Sequence, residues 1–405
     1  MISKPNLYLA DMKASPRLKT KAAMGCLCLF WAVLLSCNTT SPASKDQLYV
    51  ASFGTEPATE VLVLRQPREW IVLNGKEQIP LPQIGGDELY SVPVFGGSWS
   101  GKWVGEKWVG QWTDSLRPGD YRVPLTIQPL PDQAQQRGTK TRSFWSTSEG
   151  LLLLDQRGDS VWATISTPTG DYRYLAGKKS SNNLVFSNFD GAHLFRFSAT
   201  VEQDSLVNGT FLSGTHYQTA FDGVRLPDNP LVWTSGQQRT NGTPLAFRGV
   251  NASGDTVVWN EQTLRESGKS GLVVDIMGTW CPNCMDEARL LTELAPLHPE
   301  VAFVSLAFER TTDASILPRL RQFEAELGIS WDVLLGGRAN KRVAAECIGV
   351  VDTVHSFPTT LFWTPGSEPV VHKGFHGPAT GEGYVEERAF FQAQLTRLSG
   401  RQESR

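Results

Sequence analysis

Five residues, Trp280-Cys281-Pro282-Asn283-Cys284, stand between a mostly apolar run, Gly271–Met277, and a stretch of helical character at 285–294. Strand, C-x-x-C turn, helix is an order that few architectures accommodate. It calls for an α/β layer in which a buried strand feeds a helix through a tight turn. The turn sets Cys281 at a helix N-terminus, where unpaired N–H groups and the helix dipole favour thiolate over thiol. Cys284 falls in the first helical turn, close enough to close a small disulfide with Cys281. Such a pair exchanges two electrons by thiol–disulfide chemistry.

Two other readings of the cysteines are weaker. A closed zinc site needs four ligands, and no second C-x-x-C or H-x₃₋₅-H pair follows at a standard spacing. His372 and His376 are four apart, but Gly374 between them argues for a loop. A purely structural bridge across two intervening residues removes little loop entropy from the unfolded chain, so stability alone seldom justifies it.

The N-terminus carries Lys13, Arg17, Lys19 and Lys21, then an apolar stretch over 22–35. This is the pattern of an export signal, too short for a comfortable span. It ends in Leu34-Leu35-Ser36-Cys37, which looks like a bacterial lipobox with Cys37 as the lipidated residue; an uncleaved anchor or an ordinary signal is the competing reading. Met12 is an alternative start. Of the six cysteines, Cys26 and Cys28 leave with the signal, Cys37 carries the lipid, Cys281 and Cys284 form the pair, and Cys347 remains, read as a buried small side chain. A net charge of −3 with both signs mixed gives no hint of a nucleic-acid partner.

Texture divides the rest. Residues 46–230 consist of short alternating runs punctuated by Gly, Asp, Asn and Pro, with Asn74-Gly75 marking a hairpin. An all-β barrel or sandwich follows. Residues 98–112 and 194–211 share one layout and suggest an internal repeat. Trp99, Trp103, Trp108 and Trp112 fit a barrel interior better than a ligand platform. Residues 231–243 read as a linker. Beyond them strands alternate with helices: a strand at 301–307, a helix capped by Asp313, a strand at 331–335, a helix at 339–346, a closing hairpin at 360–372 and a last amphipathic helix at 385–398. The expected organisation is a signal with lipobox (1–37), a tether (38–45), a β-rich domain (46–230), the linker, an α/β domain (244–400) and a tail (401–405).

Residues 244–400 resemble the TlpA/ResA-like branch of the thioredoxin-like superfamily, exported and often lipid-anchored thiol–disulfide oxidoreductases. The likeness rests on the Trp280-Cys-x-x-Cys turn, on Asp275 six residues before Cys281, on Ser356-Phe357-Pro358-Thr359, and on a strand–helix insertion at about 301–327. It implies a thioredoxin-like fold and a cis Pro358 facing the cysteines, with the Phe357 backbone open to a substrate strand. The tail motif at 372–384 resembles redoxin-type lipoproteins. The β-rich half resembles the N-terminal part of the same proteins only through residues 168–174 and 188–193, and brings no activity with it. Proline comes first in this dipeptide, whereas the family places it second, which leaves the direction of electron flow open. Pro282 and the bulky Phe357, beside Trp280, face the substrate in this reading.

The expected chemistry needs no cofactor. Cys281 is the nucleophile, its pKa falling from about 8.5 into a range of about 3.5 to 7.5. Cys284 resolves the mixed disulfide. Asp275, a carboxyl in an apolar strand, has a raised pKa and suits a proton relay. Glu287 is either a second acid or a solvated first-turn glutamate. The implied partners are extracytoplasmic protein thiols or disulfides, a membrane electron donor or acceptor, and the membrane itself through the lipid, which places the chain in the cell envelope facing the periplasm. Two alternatives remain. A binding lipoprotein would use the β half to recognise a glycan or protein. A thiol peroxidase of the peroxiredoxin type keeps its cysteine in P-x-x-x-T/S-x-x-C, and Thr279 and Trp280 precede Cys281 without proline or threonine at those offsets.

Overall fold

The computed structural model describes residues 47–86, 88–117, 119–130, 138–228, 230, 236–313 and 315–400. The leader, the tether with Cys37, and the tail lie outside them. Three sheets are present from Gln47 on. In the first, eight antiparallel strands run as a meander from Gln47–Phe53 to Arg122–Pro129, and these two pair with each other. At the opposite side a bridge between Gln83 and Tyr90 joins Glu77–Pro82 to Leu89–Val92, so the sheet nearly closes into a barrel. The predicted hairpin is there: Asn74 faces Glu77 across Gly75, which takes φ +64.

Aromatic side chains fill this barrel. Trp70, Tyr90, Trp99, Trp108 and Trp112 are fully buried, while Trp103 is partly exposed. Each such ring removes roughly 150–250 Å² from water, worth on the order of 4–6 kcal/mol at about 25 cal/mol per Å². Gly101 and Gly110 face each other in register, and a Cβ on Gly101 would stand 2.6 Å from the Trp108 ring. Trp99, Trp108 and Trp112 are therefore core, with small residues opposite making the room, whereas Trp103, expected inside with them, is exposed near the end of its hairpin.

A second sheet repeats the plan. Thr141–Thr147 pairs with both Gly150–Arg157 and Tyr217–Leu226, and Gly150–Arg157 pairs with Ser160–Thr167, so this meander also closes. Phe186, Phe197 and Phe221 are fully buried inside it, and Phe197 stacks on Phe211 at 4.4 Å between centroids. The two segments singled out by their common layout are the hairpins Gly97–Val104 with Lys107–Thr113 and Leu194–Glu202 with Ser205–Ser213.

The third sheet has the order Gln237–Gln238, Val370–Lys373, Thr359–Trp363, Gly271–Met277, Val301–Glu309, Val333–Arg338, Phe247–Val250, Thr256–Trp259. Gly271–Met277, Val301–Glu309 and Val333–Arg338 are parallel to one another, and the flanking strands are antiparallel. Every residue of Gly271–Met277 is buried, as a strand covered on both faces requires. Leu290, Leu291 and Leu294 of the helix Pro282–Leu294 join Phe391, Leu395 and Leu398 of Glu382–Leu398 in one apolar cluster. Ala344, Ala345 and Ile348 of Lys341–Ile348 belong to another.

Several local expectations shift. Asp313 does not cap the helix Ile316–Leu327; Ser315 is its N-cap residue, and Asp313 accepts instead from Ser315 N at 2.9 Å. The next helix starts at Lys341 because Asn340 accepts from the amides of Arg342 and Val343. Gln237–Gln238, inside the stretch read as a linker, adds an edge strand beside Val370–Lys373. A cluster of buried side chains runs from Trp99, Trp112 and Phe189 to Cys281, Cys284, Leu320 and Phe323, so barrel and α/β sheet share a core. Among the described residues no helix is long and apolar enough to cross a membrane.

Candidate functional site

The strand Gly271–Met277 delivers the chain into the turn, and Cys281 is the N-cap residue of Pro282–Leu294 with Pro282 in the first helical turn. Cys281 and Cys284 are joined as a disulfide with Cα atoms 5.2 Å apart. The Cys284 N–H donates to Cys281 Sγ at 3.2 Å. A helix-start amide is thus aimed at the sulfur that gains negative charge on reduction. Cys281 is 6% exposed and Cys284 not at all. The order of access matches the expectation, but the outer sulfur is more enclosed than a bare helix start would leave it.

One wall of the enclosure is the loop before Thr359–Trp363. The Phe357–Pro358 bond is cis, and the Phe357 carbonyl oxygen lies 3.6 Å from Cys281 Sγ. Trp280 stacks edge-on against Phe357 at 5.8 Å, donates from Nε1 to Phe308 O at 3.0 Å, and carries the Arg310 guanidinium over its ring at 5.2 Å. Thr279, one position earlier, is tied by its amide and hydroxyl to buried Glu309, at 2.7 and 3.0 Å. Burial lifts the Glu309 carboxyl to about 7 against those bonds.

The second wall comes from the second barrel. A cleft of about 330 Å³ is lined by Cys281, Pro282, Asn283, Trp280 and Phe357 on one side, and by residues 169–173, Asp190, His193 and Phe195 on the other. Gly170 is packed so closely on Asn283 that a Cβ would stand 2.1 Å from its amide nitrogen, at φ +150. Arg173 fixes the arrangement. It is 3% exposed, with its guanidinium between Glu77 of the first barrel and Asp286 of the C-x-x-C helix, Nε to Oδ2 3.0 Å. Burial works against its charge, and the two carboxylates outweigh it. Asp171 accepts from the amides of Arg173 and Gly377, each at 2.6 Å.

Asp275 and Glu287 come together in the core. Asp275 is 1% exposed and Glu287 fully buried, which removes the solvated reading of Glu287. Ser305 Oγ donates to Asp275 at 3.1 Å and Thr360 Oγ1 donates to Glu287. The two carboxyls are close enough for each to act on the other's ionisation. Burial raises Asp275 to about 7, with Ser305 and Glu287 pulling the other way. Burial, and then the Asp275 charge, lifts Glu287 well above the usual carboxylate range.

Cys347 departs from expectation. It is half-buried rather than enclosed, with its sulfur 3.8 Å from Arg248 O and its thiol pKa pushed up by burial. Among the described residues no cluster of His, Cys, Asp and Glu is arranged for a metal ion. Sequence reasoning missed Arg173, Asp286 and Glu309 as site residues. Arg173 and Asp171 stand in a motif that had been singled out, but only the fold shows that this barrel segment overhangs the cysteines.

No protein-family model matches the chain, and a search of curated proteins finds no match. Solved structures do align with part of it, several of them thiol–disulfide oxidoreductases. One is a secreted Mycobacterium tuberculosis disulfide oxidoreductase homologous to E. coli DsbE, 16% identical over 37% of this chain and 95% of that one, TM-score 0.27. Another is a thiol:disulfide interchange protein of the thioredoxin family from Chlorobium tepidum, 20% identical over 40% and 99%, TM-score 0.29. A third is the thioredoxin domain of a thiol-disulfide oxidoreductase from Bacteroides vulgatus, 16% identical over 38% and 98%, TM-score 0.28.

Proposed function

We propose that this chain is a thiol–disulfide oxidoreductase of the TlpA/ResA-like kind, held at the extracytoplasmic face of a membrane by lipid on Cys37 and exchanging disulfides with envelope proteins. The observation that carries the reading is the Cys281–Cys284 disulfide at a helix start, with the Phe357 carbonyl of the cis Phe357–Pro358 bond 3.6 Å from Cys281 Sγ and buried Glu287 on the same helix. In the reducing direction the Cys281 thiolate attacks a substrate sulfur, and the electron pair of the broken bond leaves on the other sulfur as a thiolate. The Cys284 proton passes to the Asp275–Glu287 pair. The resulting Cys284 thiolate then attacks Cys281 Sγ, breaking its bond to the attached substrate sulfur, which leaves as a thiolate as the Cys281–Cys284 disulfide closes.

The β half supports this reading by shaping the cleft, because residues 169–173 and His193 stand across it from Trp280 and Phe357. The anchor rests on the leader sequence alone, and so does the membrane electron donor or acceptor the cycle needs. Reduced full chain should reduce insulin and release thiol in proportion. Rapid peroxide consumption without insulin reduction would move the assignment to a peroxidase, and inactivity in both assays would favour a binding protein.

A further inference from the structure

A row of polar side chains crosses the third sheet where apolar residues would be expected. Ser305, Asp275, Thr360 and His372 are directly opposite one another across four neighbouring strands. Residues so paired share one face of a sheet. All four are at most 1% exposed. Two fully buried acids join them from helices, Glu287 on Pro282–Leu294 and Glu387 on Glu382–Leu398. Thr360 donates to Glu287, and His372 Nε2 meets Glu387 Oε1. Glu387 Oε2 lies 3.4 Å from Nδ1 of His376, whose side chain is 17% exposed and whose Nε2 lies 2.9 Å from Thr167 O of the second barrel.

A row placed there for stability would be a poor choice, since each buried polar group needs full satisfaction to avoid a cost of about 1–3 kcal/mol. This one is not fully satisfied. Asp275 Oδ1, Glu287 Oε2 and His372 Nδ1 have no hydrogen-bond partner among the described residues. Thr360 is bonded to Glu287, and His372 to Glu387 and on to His376, while Thr360 and His372 meet as opposite residues of neighbouring strands, so the open Nδ1 of His372 is where the file must close for a proton to pass. The file runs from Asp275 and Glu287, the latter on the helix that carries Cys284, to the partly exposed His376.

We infer that His372, Glu387 and His376 complete a transverse proton path that empties the Asp275–Glu287 pair to solvent beside the second barrel. The inference rests on the disulfide-exchange reading. When the mixed disulfide resolves, the Cys284 S–H bond breaks and its proton enters the carboxyl pair. The S–S bond to Cys281 forms as the substrate sulfur leaves with the electron pair. One proton then leaves the pair through Thr360, His372 and Glu387 to His376 and water. The charged or titratable groups that face this path are Asp275 and Glu387 around Glu287, His372 and His376 around Glu387, and Asp171 of the barrel near His376. Burial opposes protonation of His376, but Glu387, Thr167 O and Asp171 together raise its pKa.

The test uses the reduced full chain and 5,5′-dithiobis(2-nitrobenzoate). The first chromogenic thiolate released reports attack by Cys281, and the second reports resolution by Cys284. In His376→Gln and Glu387→Gln the ratio of resolution to attack should fall at least about tenfold near pH 7, as for loss of a proton-transfer group. Added imidazole should restore the ratio in His376→Gln, because that position is reachable from solvent. A ratio and pH profile within twofold of the unaltered chain in both variants overturns the inference. So does slowing of both phases alike with no response to imidazole, which is a packing effect. If Glu387→Gln does not fold, His376→Gln carries the test alone. Absence of any first phase in the unaltered chain would instead sink the oxidoreductase reading.

Discussion

Replacing Asp275 by asparagine separates its chemical role from its energetic cost. The carboxyl is held at about 7 in the fold, against 3.8 for the free group, so the native state binds a proton more tightly than the unfolded chain. Its contribution to stability is therefore fully present below about pH 4 and is lost as pH rises through about 7. Three pH units at about 1.36 kcal/mol each give roughly 4 kcal/mol, on the order of the cost of ionising this group in place. Asparagine keeps the shape and cannot ionise. Most of that window lies between pH 5 and pH 8, so the stability difference between variant and parent should grow by roughly 2–3 kcal/mol in favour of the variant over that range. Glu309 and Asp286 also titrate in this range, but they are present in both proteins and cancel in the difference. Urea unfolding of the oxidised full chain at the two pH values measures it. Resolution of the mixed disulfide should meanwhile slow by about a hundredfold, with attack less affected. A difference that is the same at both pH values would refute the buried-acid argument, and equal slowing of both steps would refute the relay.

Other consequences are as specific. Arg173→Met leaves Asp286 and Glu77 without their shared cation and should cost about 3–5 kcal/mol in denaturant unfolding, as loss of one partner of a buried ion pair does. Gly101→Ala drives a methyl group to within 2.6 Å of the Trp108 ring and should cost about 1–3 kcal/mol, read as a fall in melting temperature with disulfide exchange retained. Cys37→Ser should move the protein from the membrane to the soluble extracytoplasmic fraction, and continued membrane association would mean that something other than lipid holds it.

What the sequence revealed followed the local signals. The strand, turn and helix around Cys281 were legible because apolar continuity, Pro282 and helix-forming residues all agree there. Asp275 stood out as the one acid in a strand whose every residue is buried. The tryptophans of the first barrel were legible through their spacing, and the facing glycines that admit them were not. Glu287 was ambiguous because a helix-start glutamate looks the same whether it faces water or a core. His372 and His376 were weighed only as metal ligands. Their partner Glu387 is distant in sequence, and it is register between strands that sets His372 beside Thr360. The wall over Cys281 was invisible for the same reason, since residues 169–173 lie more than a hundred positions before the cysteine. Helix boundaries moved where a side-chain bond outranked composition, as at Asn340.

The central claim is that Cys281 attacks and Cys284 resolves. The most direct measurement is mixed-disulfide trapping by Cys281→Ser and Cys284→Ser forms of the reduced chain, presented with a protein disulfide and separated without reductant. The account predicts that Cys284→Ser accumulates the mixed disulfide through Cys281, identified by mass spectrometry of the linked peptides, while Cys281→Ser accumulates none. Equal trapping by both forms, or linkage through Cys347, would contradict it.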